Sequence, residues 1–226
     1  MNKILTSKWT KVVVFLLCLV PLGLLVWRIV HAVFQGLPFD TYLTGNPIEF
    51  ITHRTGDWTL RFLVITLAIT PLRKILRMPQ LIRFRRMLGL FAFFYGCLHF
   101  GTWIGLDKFF DWADMWKDVH KRPFITLGFI GFVLLVPLAL TSTAGWIRRL
   151  GGKRWQLLHR AIYVTAVLGV IHYYWLVKSD VRKPVAYGFL VGILLAWRFA
   201  AWVVERRKRP AASAVRRPER TSPESA

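Results

Sequence analysis

Three histidines, His99, His159 and His172, stand inside stretches apolar enough to be membrane helices. An ionisable side chain in hydrocarbon costs roughly 2.5 kcal/mol or more, so it marks a pathway, a relay or a ligand site. Neutral imidazole is also a standard axial ligand for haem iron. Two histidines on facing membrane helices, at equal depth, would form a bis-imidazole haem site. The plainer alternative is an imidazole bonded to a neighbouring carbonyl, which serves for any one of them alone. Three such residues on two helices point to haem.

Depth decides which histidines pair. The helix carrying His99 enters from the inner side near Met87, which puts His99 about 18 Å along it at 1.5 Å per residue. The helix carrying His172 starts on the same side near Trp155 to Leu157, so His172 lies about 22 to 24 Å in, whereas His159 sits at the inner boundary. His99 and His172 are therefore the expected axial pair. His159 is left for an interfacial role beside Arg160, or for a second redox group, haem or flavin, near the inner face. His31, His53 and His120 fall at or beyond helix ends and read as surface histidines.

The elements that must position these side chains follow from composition. The 226 residues are 55% hydrophobic and 15% aromatic, which is not the profile of an ordinary soluble domain. About 20 apolar residues span a bilayer, and six such runs occur, near 12–34, 57–72, 87–106, 123–142, 157–177 and 184–204. The expected fold is an all-α membrane protein, a six-transmembrane-helix bundle with both termini cytoplasmic. Its segments are an N-terminus at 1–11, one haem-binding transmembrane domain over 12–204, and a disordered basic cytoplasmic tail at 205–226. The first run contains Pro21 and has no small-residue cleavage site after it, so it reads as an anchor. The outer loop 107–122 carries aspartates and aromatics at near-helical spacing, which predicts a short interfacial helix. That helix is either part of an aromatic belt or a docking face for an extracytoplasmic partner.

A net charge of +21 would suit a nucleic-acid protein, but topology removes that reading. With the N-terminus inside, the inner segments hold 22 basic residues against three acids and the outer segments ten against eight. This is the positive-inside asymmetry, and the basic side meets anionic lipid headgroups of the bilayer rather than nucleic acid. Cys18 and Cys97 lie in apolar runs, and neither CxxC nor CxxCH occurs, so any haem is held by coordination and packing.

Four stretches carry a family resemblance: TGDWTLRFLVITLAITPLRKIL (55–76), RRMLGLFAFFYGCLHF (85–100), TSTAGWIRRLGGKRWQLLHRAIYV (141–164) and IHYYW (171–175). In this order they resemble the MsrQ (YedZ) family, haem-binding membrane subunits of the bacterial protein-methionine-sulfoxide reductase system. That family sits within the wider group of ferric-reductase-like transmembrane domains. The resemblance implies b-type haem and FMN in the bacterial inner membrane. It implies electrons arriving from the quinone pool or a cytoplasmic flavin reductase. It also implies delivery to a periplasmic molybdopterin-containing methionine sulfoxide reductase, the catalytic subunit, which repairs oxidised proteins. Oxidases of the wider group place two histidines on each of two helices; here the third run has only His99.

An outer-half haem is far from cytoplasmic donors, so an intermediate carrier is expected near the inner boundary. Arginine donors favour a flavin phosphate and an indole offers a stacking surface. Arg154, Trp155, Arg86 and Arg149 are the expected FMN contacts, against the alternative of plain positive-inside charge. No Gly-rich dinucleotide fingerprint and no sulfoxide-reducing machinery is evident, so the chain reads as an electron-transfer subunit. Two other classes stay open: a ferric reductase or NADPH-oxidase-like carrier, and a cofactor-free scaffold.

Overall fold

The computed structural model describes residues 7–34, 44–177 and 179–214, the last seven of these by backbone alone. Within them the chain is helical throughout. Helix α1 (Lys8–Phe34) is followed by α2 (Pro47–Ile75), a 3-10 turn (Pro79–Leu81) and α3 (Ile82–Thr102). A π-helical turn (Trp103–Asp107) leads into the short α4 (Trp112–Lys121), then α5 (Pro123–Leu140) and α6 (Ala144–Leu158). The chain closes with α7 (Ala161–Leu176) and α8 (Arg182–Ala214).

Local signals fix the helix starts. Asn46 caps α2 by accepting from Glu49 N at 3.2 Å, with Pro47 in the first turn. Asp111 caps α4 by accepting from Asp114 N at 3.0 Å, so the helix expected in the outer loop is present. Thr143 caps α6, which bends at Gly151, where φ is +72° and a side chain would be strained.

Among the described residues, four segments are long and apolar enough to cross a membrane: Lys8–Phe34, Pro79–Asp107, Pro123–Leu140 and Arg182–Arg207. The chain is a multi-pass membrane protein. Helix α7 is apolar but has 16 residues, and α2 has the length yet carries Glu49, Arg54, Asp57 and Arg61 in its first half. Helix α8 runs on to Ala214, into the segment whose composition reads as a tail; residues 1–6 and 215–226 lie outside the described residues.

Helices α2, α3, α5 and α7 form the central bundle, each in contact with two of the others; the α2–α3 and α5–α7 pairs are the most extensive. An aromatic column of Trp58 and Phe62 from α2 with Phe91 and Tyr95 from α3 fills the first pair. Helix α8 lies against α7 and α2 and is tied to them by polar bonds: Arg198 donates to Tyr163 Oη at 2.7 Å and to Leu67 O at 2.9 Å. Nearer the start of α8, Tyr187 donates to Asp57 at 2.9 Å, and Arg61 pairs with the same carboxylate at 2.7 Å. Such partners keep ionisable groups tolerable inside a membrane bundle.

Helix α1 is peripheral, packs Phe15 on Phe91 of α3, and is tied to α3 by one hydroxyl. Tyr95 Oη donates to Cys18 O at 2.9 Å and accepts from Leu22 N at 3.1 Å. Cys18 and Leu22 are an i, i+4 pair, so the hydroxyl is inserted into a rung of α1 beside Pro21. Tyr95→Phe lets that rung close on itself and removes the tie. We expect a loss of about 0.5–1.5 kcal/mol and faster amide exchange confined to α1. Unchanged protection of α1 would contradict this anchoring.

Candidate haem and flavin sites

The imidazoles of His99 on α3 and His172 on α7 face each other inside the bundle, with ring centres 6.1 Å apart and planes crossed at 72°. His99 Nδ1 lies 2.9 Å from Thr52 O on α2, and His172 Nδ1 lies 2.6 Å from Phe124 O on α5. A carbonyl only accepts, so each Nδ1 carries the proton and each Nε2 keeps its lone pair. Among the described residues neither Nε2 makes a hydrogen bond. A metal–imidazole bond of about 2.0 Å on each side, plus ~1.2 Å from ring centre to nitrogen, gives a separation of ~6.4 Å for two axial ligands. The observed spacing and donor set therefore fit a single iron between the rings, with the second-neighbour carbonyls that ligating histidines ordinarily use.

The rings lie directly against backbone. A Cβ added at Gly56 would come within 2.9 Å of His99 Cε1, and one at Gly128 within 2.8 Å of His172 Nδ1. Gly56, Gly128 and the carbonyls of Thr52 and Phe124 were not legible as site residues from composition and depth. The available signal was a glycine inside each of two membrane helices, where it weakens the helix by about 0.5–1 kcal/mol relative to alanine.

His159 belongs to a different place. It ends α6 rather than lying within the following helix, and its Nδ1 turns back to Trp155 O at 3.0 Å. Its Nε2 faces Leu138 O at 3.2 Å and Ser142 Oγ at 3.3 Å, and its ring stacks on Trp155 with centres 3.8 Å apart. Trp155 is held by its own indole N–H, which donates to Thr141 O at 2.9 Å. These residues line a cavity of about 530 Å³, together with Arg85, Arg86, Arg160 and Tyr163. That is within the usual range for a small-molecule site.

Of the four residues expected to contact flavin, Arg86 and Trp155 line this cavity. Arg154 does not, and Arg149 sits over the Trp146 ring at 5.5 Å beside a separate surface depression. The remaining histidines are engaged locally: His31 and His120 with the carbonyls one turn earlier, His53 with Glu49 at 3.9 Å.

At the other end of the bundle, Lys108 joins Asp114 at 2.6 Å and the buried Asp118 at 2.5 Å, while Arg122 reaches Asp118 at 3.2 Å. This network holds α4 on α5 and leaves Trp112 and Trp116 exposed. Lys108 pulls the Asp114 carboxyl below its ordinary value of 3.8, and the hydrogen bonds that Lys108 donates to Asp114 and Asp118 raise it above its ordinary 10.5. A depressed carboxylate stabilises the fold above its unfolded value, and that stability is lost as pH falls through the folded one. Acid titration of Trp112 and Trp116 emission should thus show α4 loosening only below pH 3.8, with Asp114→Asn loosened already at neutral pH. A transition centred near neutrality in the unsubstituted protein would contradict the network's role.

Residues 55–170 match the family described as ferric reductase like transmembrane component, a span that includes α3, α5, His99 and His159. The chain is 61% identical over 163 residues to a protein of Herminiimonas arsenicoxydans, covering 71% of this chain and 75% of that one. It is 50% identical over 185 residues to one of Caulobacter vibrioides, covering 82% and 84%. A third, from Rhodospirillum rubrum, is 49% identical over 197 residues, covering 87% and 90%. All three are named protein-methionine-sulfoxide reductase heme-binding subunit MsrQ. By the matched span and these three relatives, this chain belongs to the MsrQ family.

Proposed function

We propose that the protein is the haem b membrane electron-transfer subunit of a protein-methionine-sulfoxide reductase system, with His99 and His172 as the axial ligands. The observation that carries this reading is the pair of imidazoles 6.1 Å apart, each with Nδ1 committed to a backbone carbonyl. Bound haem supplies one-electron transfer; the chain's part is to hold the iron by two neutral nitrogens in a dry bundle. The two imidazoles, fixed by opposite helix pairs, would hold the iron from both sides, which suits electron passage and disfavours binding of small molecules to the metal.

The inner cavity is the entry point in this reading. Arg85, Arg86 and Arg160 offer cationic forks for a phosphate and Trp155 a stacking face. FMN held non-covalently there, or a second redox group beside His159, would supply one-electron chemistry at this entry point, with the quinone pool or a cytoplasmic flavin reductase as the donor. The orientation comes from the charge asymmetry: six spans in the bacterial inner membrane, both termini cytoplasmic, the His99 and His172 pair in the outer half. The recipient is the periplasmic molybdopterin-containing catalytic subunit that repairs oxidised methionine in proteins. This chain is not itself the sulfoxide-reducing enzyme.

The test is reconstitution in vesicles. With the catalytic subunit outside and a reduced flavin or quinol donor supplied, oxidised substrate protein should be reduced only when this chain is present. A topology reporter fused after Arg206 should read cytoplasm and one near Asp114 periplasm. Turnover without the chain, or both reporters reversed, would overturn the reading.

A further inference from the structure

The surroundings of the two imidazoles repeat. On α2, Thr52 presents its carbonyl to His99, and Gly56, four residues on, lies under the ring; on α5, Phe124 does the same for His172, and Gly128 lies under it. In an α-helix the carbonyl of residue i already accepts the N–H of residue i+4. A side chain at i+4 leans back toward the N-terminus and covers the turn before it, so it shields that carbonyl. Without a Cβ the oxygen stays open on one side and takes a second donor. Neither glycine has a left-handed φ, so the site uses the missing side chain and not conformational freedom.

We propose that Gly56 and Gly128 are positioning residues for the two axial imidazoles, each uncovering one helix carbonyl that a histidine then shares. The shared carbonyl fixes the Nδ1–H tautomer and aims Nε2 at the centre of the bundle. By drawing on the Nδ1 proton it also strengthens Nε2 as an electron donor, which favours the ferric state and keeps the potential low. The role is the same on both sides because each ligand-bearing helix packs most extensively against one carbonyl-bearing helix: α3 on α2, α7 on α5. The inference rests on the haem reading above.

Gly56→Ala and Gly128→Ala place a methyl where a ring atom stands less than 3 Å away, whereas Gly131→Ala on α5 meets only Leu168 Cβ at 3.7 Å. In holoprotein purified in detergent, the first two variants should retain haem at least tenfold more weakly, show a more positive midpoint potential, and gain a high-spin fraction. Gly131→Ala should match the unsubstituted protein in all three. A second measurement needs no variant. In the reduced, diamagnetic protein with 15N-labelled histidine, nuclear magnetic resonance should show two Nδ1-bound protons that exchange slowly with solvent. Wild-type haem retention and potential in both Gly56→Ala and Gly128→Ala would overturn the proposal. So would equal loss in Gly131→Ala, or an Nδ1 without its proton. Absence of low-spin haem from the unsubstituted protein would instead sink the haem reading itself.

Discussion

His99→Ala and His172→Ala should each abolish the low-spin haem spectrum. Each removes one of the two nitrogens that face the centre of the bundle, and alanine leaves nothing within bonding reach of an iron held by the opposite ring. The surviving pigment should be high-spin and at least tenfold less firmly retained. Free imidazole should restore the low-spin form, because the vacated space is the shape of the ring it lost. Gly56 or Gly128 would line it, with the Thr52 or Phe124 carbonyl waiting for the new Nδ1–H. His159→Ala should leave this spectrum intact, since its ring lies in the other cavity, stacked on Trp155. Full low-spin haem in either the His99 or the His172 variant would dissolve the pairing.

The second large effect concerns the inner cavity. Trp155→Ala removes the stacking face, and Arg86→Ala one of the cationic forks that line the same space. Loss of a stacking platform is worth about 1–3 kcal/mol, so flavin per mole of purified protein should fall by about tenfold or more in Trp155→Ala. Haem reduction by a reduced flavin donor should slow in step. Arg154→Ala and Arg149→Ala serve as contrasts. Both are basic residues on the inner side, yet neither lines the cavity, and Arg149 rests on Trp146. Their flavin content should stay near that of the unsubstituted protein. Flavin lost from the Arg154 variant and kept in the Trp155 variant would relocate the site.

The contrast among these arginines shows what a sequence can and cannot disclose. Helix depth at 1.5 Å per residue singled out His99 and His172 as the expected pair from three histidines, and the structure places their rings 6.1 Å apart. The near-helical spacing of aspartates and aromatics over 107–122 likewise predicted the short helix that the structure shows at Trp112–Lys121. Neither could rank Arg86 over Arg154, since positive-inside charge populates a whole surface, and only the packing of α3, α5 and α6 decides which side chains converge. The α6 bend at Gly151 and the break at His159 sit in that region, and neither follows from hydrophobic periodicity. Gly56 and Gly128 were missed for a related reason. Their value lies in contacts between segments far apart in the chain, and a glycine in a membrane helix reads as a small residue until its neighbour is known.

Helix α2 was harder still to read. Its charges, Asp57 and Arg61, depress the apolar signal, and only their pairing with each other and with Tyr187 of α8 shows how a bundle accommodates them. Likewise, α7 is short, but its His172 end is held against α5 through the Phe124 carbonyl.

The most direct test of the central claim is low-temperature electron paramagnetic resonance of the oxidised, purified protein. With His99 and His172 as the two axial ligands at crossed planes of 72°, the ferric iron should give a low-spin signal of the strongly anisotropic kind that near-perpendicular imidazoles produce. A dominant high-spin ferric signal, or no haem signal at all, would contradict the account.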